Sequence, residues 1–211
     1  MAMTVEELFQ KLSYGELNNL AAAVDGTGTI KKEQRNRIIH FANEGLKRLH
    51  LRFQLRQRDL MINTAKTAQI ISLDEDVIDI IAILNAYGEP VPFSTNVRPG
   101  EFYVQCRKLY VPAESEIREL MINFHIRHPV LNPIEKDTDL AQNIRLAPEL
   151  QPALTAYIAA EMYGAMNSPD AIATAAGLRN KFEGLCVEAS NLGVVPSEMR
   201  PTSKFDERGF V

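Results

Sequence analysis

At 211 residues, 45% of them apolar and 24% charged, the chain has room for one large domain or two small ones and enough apolar residues for a real core. No apolar run approaches the roughly 18 residues of a membrane span. The first twelve residues carry early acids instead of a secretory leader's apolar stretch, and Cys106 and Cys186 make no metal-ligand spacing and call for no oxidising compartment. The net charge of −4 hides an asymmetry. Nine Lys or Arg residues between Lys31 and Arg58, against Glu33 and Glu44, give that segment +7, so the rest of the chain carries −11. Such a segment suggests a surface that faces something anionic.

Thr4 followed by Glu7 predicts a capping box. It opens a helix over residues 5–24 with Val5, Leu8, Phe9, Leu12, Leu17, Leu20 and Ala21 as its apolar positions. Tyr14-Gly15 marks a candidate break within it, and Asp25 to Gly28 reads as the turn that ends it. The basic helix follows, over residues 29–55. Ile38, Ala42, Leu46, Leu49 and Phe53 recur at spacings of three and four and form one buried stripe. Arg37, Glu44, Lys47 and Arg48 fall on the opposite face, with Arg52 at its edge. Two readings stand side by side. Either this is a solvated face whose charges pair with acids on neighbouring elements, or it meets nucleic acid phosphate or an acidic protein neighbour.

From Asp59 to Val130 the period drops to two, which predicts strands. Phe102, Val104 and Cys106 alternate with Tyr103, Gln105 and Arg107, and Leu109 to Val111 close that run. Leu120, Ile122, Phe124 and Ile126 alternate with Met121, Asn123 and His125. Residues 59–64, 68–73 and 78–86 are further candidates, the last of them also compatible with a short helix capped by Ser72 and Glu75. Turns are expected at Gly88 to Pro90 and at Arg98 to Gly100.

Helix returns over residues 148–166, where Leu150, Leu154, Tyr157, Ile158 and Met162 share a stripe among alanines. Ser168-Pro169-Asp170 is a strong start signal for a last helix over 169–192, which Gly193 ends. The expected fold is α+β. Residues 1–58 and 131–193 form a discontinuous helical domain packed as a four-helix bundle with Leu46 and Phe182 in its core. Residues 59–130 form an antiparallel β insertion, and 194–211 an extended tail.

Motifs for chemistry are absent. Gly26 and Gly28 precede Lys31 and Lys32, but the strand and third glycine of a phosphate cradle are missing. His40 and Glu44 share a helix face that Lys47 and Arg48 make hostile to a cation, and read as an exposed polar pair. His125 and His128 are three apart at a strand end, a spacing that sends them to opposite faces. Asp74, Glu75, Asp76 and Asp79 lack the glycine and distant glutamate of a calcium loop and read as a solvated turn. Both cysteines read as ordinary small apolar residues. No residue set marks a nucleophile, so the expectation is a protein without catalytic site, metal or cofactor.

Three runs carry a resemblance: EELFQKLSYGEL at residues 6–17, MINFHIRHP at 121–129, and KFDERGFV at 204–211. With the layout of helices, β insertion, helices and tail, they resemble the head-to-tail adaptor (connector) proteins of tailed bacteriophages, especially short-tailed ones. The resemblance implies a structural virion protein without enzymatic activity, assembled in the host cytoplasm and sited at the head–tail junction. Such adaptors form a homo-oligomeric ring of twelve copies beneath the portal protein, extend the DNA channel and present a platform to tail or nozzle proteins. It further implies a C-terminal tail that docks on the portal and a β insertion that faces tail components, with no membrane partner.

The residues of the tail agree with docking. Met199, Phe205, Phe210 and Val211 are costly to leave in water, and Arg208 suits an acid or a backbone carbonyl on a partner. The expectation is a tail disordered in the free protein and ordered against the portal. Arg37, Lys47, Arg48 and Arg52 are then expected to face either non-specifically bound DNA in the channel or a neighbouring subunit. A different class is a stand-alone nucleic-acid-binding module using the basic helix at 31–58. Few of that helix's residues read base edges, and the overall charge is negative.

Overall fold

Thr4 opens the first helix. Its Oγ1 accepts from the Glu7 N–H at 3.2 Å, and Glu7 Oε2 accepts from the Thr4 N–H at 2.9 Å. The helix, Val5–Tyr14 (α1), stops ten residues short of the expected Val24. The stop is steric. At Gly15 a Cβ would lie 2.7 Å from the Lys11 carbonyl oxygen, so the backbone bend that ends α1 needs a residue without one.

The computed structural model describes residues 3–20, 23–24, 29–65, 67–96, 100–113, 117, 119–166 and 168–193. The glycine pair at 26 and 28, the Arg98-Pro99 turn signal and the whole tail lie outside them. The chain divides into a helical unit, from Met1–Phe53 and Val130–Val211, and a β unit, Gln54–Pro129.

In the helical unit, α2 is Lys32–Phe53, α3 is Gln151–Gly164 and α4 is Pro169–Asn191. Every residue of α3 from Ala153 to Ala160 is buried. A helix apolar all round can be stable only when enclosed, and α3 packs against α4, α2 and α1. Ser168 caps α4 by accepting from the Ala171 N–H, with Pro169 in the first turn. The fold is α+β, but the helices gather around one enclosed member instead of forming the expected four-helix bundle. The physical reason is α1, which at ten residues is too short to run alongside α2 and α4. Two further strands, Met3–Thr4 (β1) and Asn143–Ile144 (β9), pair beside α1 and were too short to leave a period in the sequence.

Among the described residues, the β unit holds two sheets. In the first, Glu119–Ile126 (β8) lies between Gln57–Asn63 (β2) and Val77–Asn85 (β4). β2 pairs with β8 without a break, from Gln57↔His125 to Asn63↔Glu119, while β4 carries two register shifts. In the second, the order is Gln69–Ser72 (β3), Lys108–Val111 (β7), Phe102–Gln105 (β6) and Phe93–Ser94 (β5). Leu120, Ile122, Phe124 and Ile126 point into a core shared with Ile80, Ile83, Phe102, Leu109 and Val111. This is the period-two pattern made physical.

The segment at 78–86, expected as a strand with a capped helix as the alternative, is a strand. Two expectations need correction here. The run from Phe102 to Val111 is a hairpin, not one strand. It turns at Cys106 and Arg107, which adopt φ of 49° and 59°, and Tyr103 stacks on Tyr110 at 4.2 Å across it. Two consecutive positive φ values are the signature of a tight hairpin turn, normally signalled by Asn-Gly, and Cys-Arg gives no such signal. The sheet is also mixed, since β5 runs parallel to β6.

Candidate interaction surface on the basic helix

Helix α2 buries Ile38, Ile39, Ala42, Gly45, Leu46, Leu49, His50 and Phe53, which turns the opposite side outward. Arg37, Lys47, Arg48 and Arg52 are all exposed on that side, spread over sixteen residues or roughly 22 Å of helix. Their surroundings differ. Arg52 Nη1 pairs with Glu183 Oε2 on α4 at 2.6 Å, and that hydrogen bond raises its pKa further above an already basic value. The Arg48 guanidinium lies 5.0 Å from the centre of the Tyr157 ring on α3, and Arg37 lies 5.7 Å from that of Phe41. Lys47 has no ion pair among the described residues.

The rest of the basic segment is partly neutralised. Arg35 Nη1 pairs with Asp137 Oδ1 at 2.8 Å and holds that carboxyl below the usual carboxylate range. Arg58 lies 3.5 Å from Asp74, and Arg56 donates to the Arg127 carbonyl at 3.3 Å. Within α2, Glu33 precedes Arg37 and Glu44 precedes Arg48 by four residues, the favoured order for intrahelical pairing. The outward face is therefore striped with both signs. Arg35, Arg52 and Arg58 pair with acids on other elements of the chain. Of the four cations expected to meet a partner, Arg37, Lys47 and Arg48 make no ion pair with another element among the described residues.

Outside α2, Met199, Phe205, Arg208, Phe210 and Val211 lie beyond the described residues. His40 is exposed and Glu44 half-buried, and no group of three or more metal-ligating side chains occurs among the described residues. Among the acids at 74–79, Asp74 takes Arg58 and also accepts from the Val77 N–H through its carbonyl, which makes this stretch a turn. Cys186 is buried, where desolvation pushes its thiol pKa up, but Cys106 is exposed at the hairpin turn and is not the packed apolar residue expected. What sequence reasoning missed is the set of partner acids. Asp137 and Glu183 lie 102 and 131 residues from their arginines, and nothing local marks them.

His125 and His128 are both buried. Burial pushes the His125 imidazole below its ordinary 6.5, and Asp79, its cross-strand neighbour in β4, opposes the shift without reversing it. The unfolded chain thus takes up this proton first as pH falls, so stability is lost below about pH 6.5 and is complete above it. In the helical unit the sign is the same and the window lies lower. Asp137 and Asp139 are held below their ordinary 3.8, by Arg35 in one case and by the N–H groups of Lys136 and Glu135 in the other. Their contribution persists until pH falls below that value. On acidification, amide protection in β8 and β4 is expected to weaken before protection around residues 135–142, and His125→Gln should delay the first step. Hydrogen exchange followed by mass spectrometry reads this directly, and the reverse order would sink it.

No protein-family model matches this chain, and no curated protein matches it either.

Proposed function

We propose that the chain is a structural virion protein, a head-to-tail adaptor that forms a ring between the portal and the tail and extends the DNA channel. What carries this reading is the resemblance of residues 6–17, 121–129 and 204–211 to such adaptors. The chain's layout supports it, with a helical unit interrupted by a β unit and followed by an apolar-studded tail. In this reading Met199, Phe205, Phe210 and Val211 anchor the tail on the portal, and Arg208 pairs with an acid or a carbonyl there. The eighteen residues after Gly193 reach at most ~60 Å when extended, far enough to cross onto another protein. Pro196 and Pro201 lower the entropy lost on docking. Truncation after Gly193 is the test. The expected product is soluble and folded yet no longer joins the portal. Normal assembly of the truncated chain, or its unfolding, would remove the proposal.

The second reading is a stand-alone nucleic-acid-binding module. It draws on Arg37, Lys47 and Arg48, and is weakened by the neutralisation of Arg35, Arg52 and Arg58 within the chain. Replacing Arg37, Lys47, Arg48 and Arg52 together by Ser separates the roles. If they meet phosphate, DNA binding weakens and its logarithmic salt slope falls by about 0.9 for each contact removed. If they meet a neighbouring copy, ring formation is lost while the salt slope stays unchanged. A variant normal in DNA retention and in assembly would leave the face as merely solvated.

A further inference from the structure

Glu7, Gln10, Lys11 and Tyr14 recur at spacings of three and four and share one face of α1. With Met3, Pro148 and Gln151 they line an open groove of about 540 Å³ in the helical unit. Val5, Leu8, Phe9 and Leu12 take the opposite side of the helix into the core, which turns this face outward. Tyr14 is 75% exposed. Met3, Tyr14 and Pro148 offer apolar contact, while Glu7 and then Lys11 set a negative and a positive charge along the groove, roughly 6 Å of helix apart.

The course of the chain decides what can reach this groove. Tyr157 of α3 meets Phe182 of α4, and Gly164 lies against Ala175 and Arg179, so the two helices run antiparallel and α3 begins beside the end of α4. The single turn Pro148–Leu150 packs on α4 as well. Lys11 donates to Gln151 and Glu16 pairs with Lys181, which puts the Glu7 end of the groove at the end where α4 finishes. There Gly193 takes φ 69° and turns the chain off the helix axis. Eighteen residues follow, Phe205 among them.

We propose that the chain's own tail occupies this groove before assembly, with Phe205 seated in it, Lys204 beside Glu7 and Asp206 beside Lys11. The charges match in order and in spacing. The tail enters from the Glu7 end, so Lys204 arrives before Asp206, and in an extended segment the two lie roughly 6–7 Å apart. Alternation sends Phe205 to the side opposite both, down to the apolar contacts while the ions pair at the rim. Lys204 comes eleven residues after Gly193 and can reach ~36–40 Å, against roughly 10 Å of groove along α1. So short a tether holds the segment at roughly millimolar effective concentration, at which even a millimolar contact is half-occupied. The contact needs nothing from the adaptor reading. Where that reading holds, groove and portal compete for Phe205, and the tail stays parked until the portal takes it.

The chain has no Trp, so Phe205→Trp supplies a single fluorescent reporter. In the full-length chain its emission is expected to be blue-shifted and shielded from acrylamide at every protein concentration. Asp206→Lys, a change outside the described helices, should lower the bound-to-free ratio roughly three- to tenfold by turning an exposed ion pair into a repulsion. Adding Lys11→Glu should restore it. A reporter that acrylamide quenches freely overturns the contact, as does shielding that ignores Asp206→Lys or is not restored by Lys11→Glu. Shielding that fades on dilution gives the groove to the tail of another copy and overturns it too. The truncation test is read separately, so portal docking stands if only the groove contact fails, and the groove contact stands if only portal docking fails.

Discussion

Replacing Phe182 by Ala is expected to cost the helical unit about 3–5 kcal/mol, and Leu46→Ala about 2–5 kcal/mol. Phe182 on α4 is 6% exposed and meets the Tyr157 ring of α3 at 5.5 Å, tilted by 57°. Leu46 on α2 is 1% exposed. Both helices pack on α3, so either truncation should lower amide protection on all three helices and not only on its own. Hydrogen exchange under mild denaturant reads this. If Phe182→Ala loosened α4 while α2 and α3 kept full protection, the single helical core would be wrong.

Gly45→Ala should destabilise, although alanine is the better helix former by about 1 kcal/mol. A Cβ at Gly45 would lie 2.8 Å from Leu154 Cδ1 and 2.8 Å from Tyr157 Cδ1. Leu154 is completely buried and Tyr157 nearly so, which leaves neither a place to move. Overpacking of this kind costs about 1–3 kcal/mol and outweighs the propensity gain. Gly177 and Gly184 on α4 make the contrast. A Cβ at either meets nothing within 4 Å, so Gly177→Ala and Gly184→Ala should each stabilise by up to about 1 kcal/mol. Urea denaturation of the three variants compares the signs. If Gly45→Ala were as stabilising as Gly184→Ala, the close approach of α2 to α3 would be refuted.

Much of this was legible along the chain wherever side chains obey one period. The stripe from Ile38 to Phe53, the alternation from Leu120 to Ile126 and the Ser168 start signal each depend on residues within a few turns of one another. Features set by distant partners were not legible. Gly45 looks like an ordinary helix defect until Leu154 and Tyr157 arrive from more than a hundred residues away. The positive φ at Cys106 and Arg107 is imposed by the pairing of Tyr103 with Tyr110 and has no turn residue to announce it. The candidate surface divides in the same way. The helix face bearing Arg37, Lys47, Arg48 and Arg52 follows from periodicity alone. The carboxylates that neutralise part of the basic segment do not, because an ion pair between Arg52 and Glu183 leaves no local trace.

The enclosure of α3 also sets a schedule for synthesis. The β unit is one uninterrupted stretch, Gln54–Pro129, and leaves the ribosome with all its strands at hand. Helices α1 and α2 emerge before it, but the helix on which they pack ends only at Gly164. At 5–20 residues per second the wait is roughly 5–20 s. Throughout it Ile38, Leu46 and Leu49 have no surface to cover them. A unit made of helices would ordinarily close quickly through neighbouring contacts. This one is the slower half of its own chain, and its early apolar face is where a nascent-chain chaperone would be expected to bind.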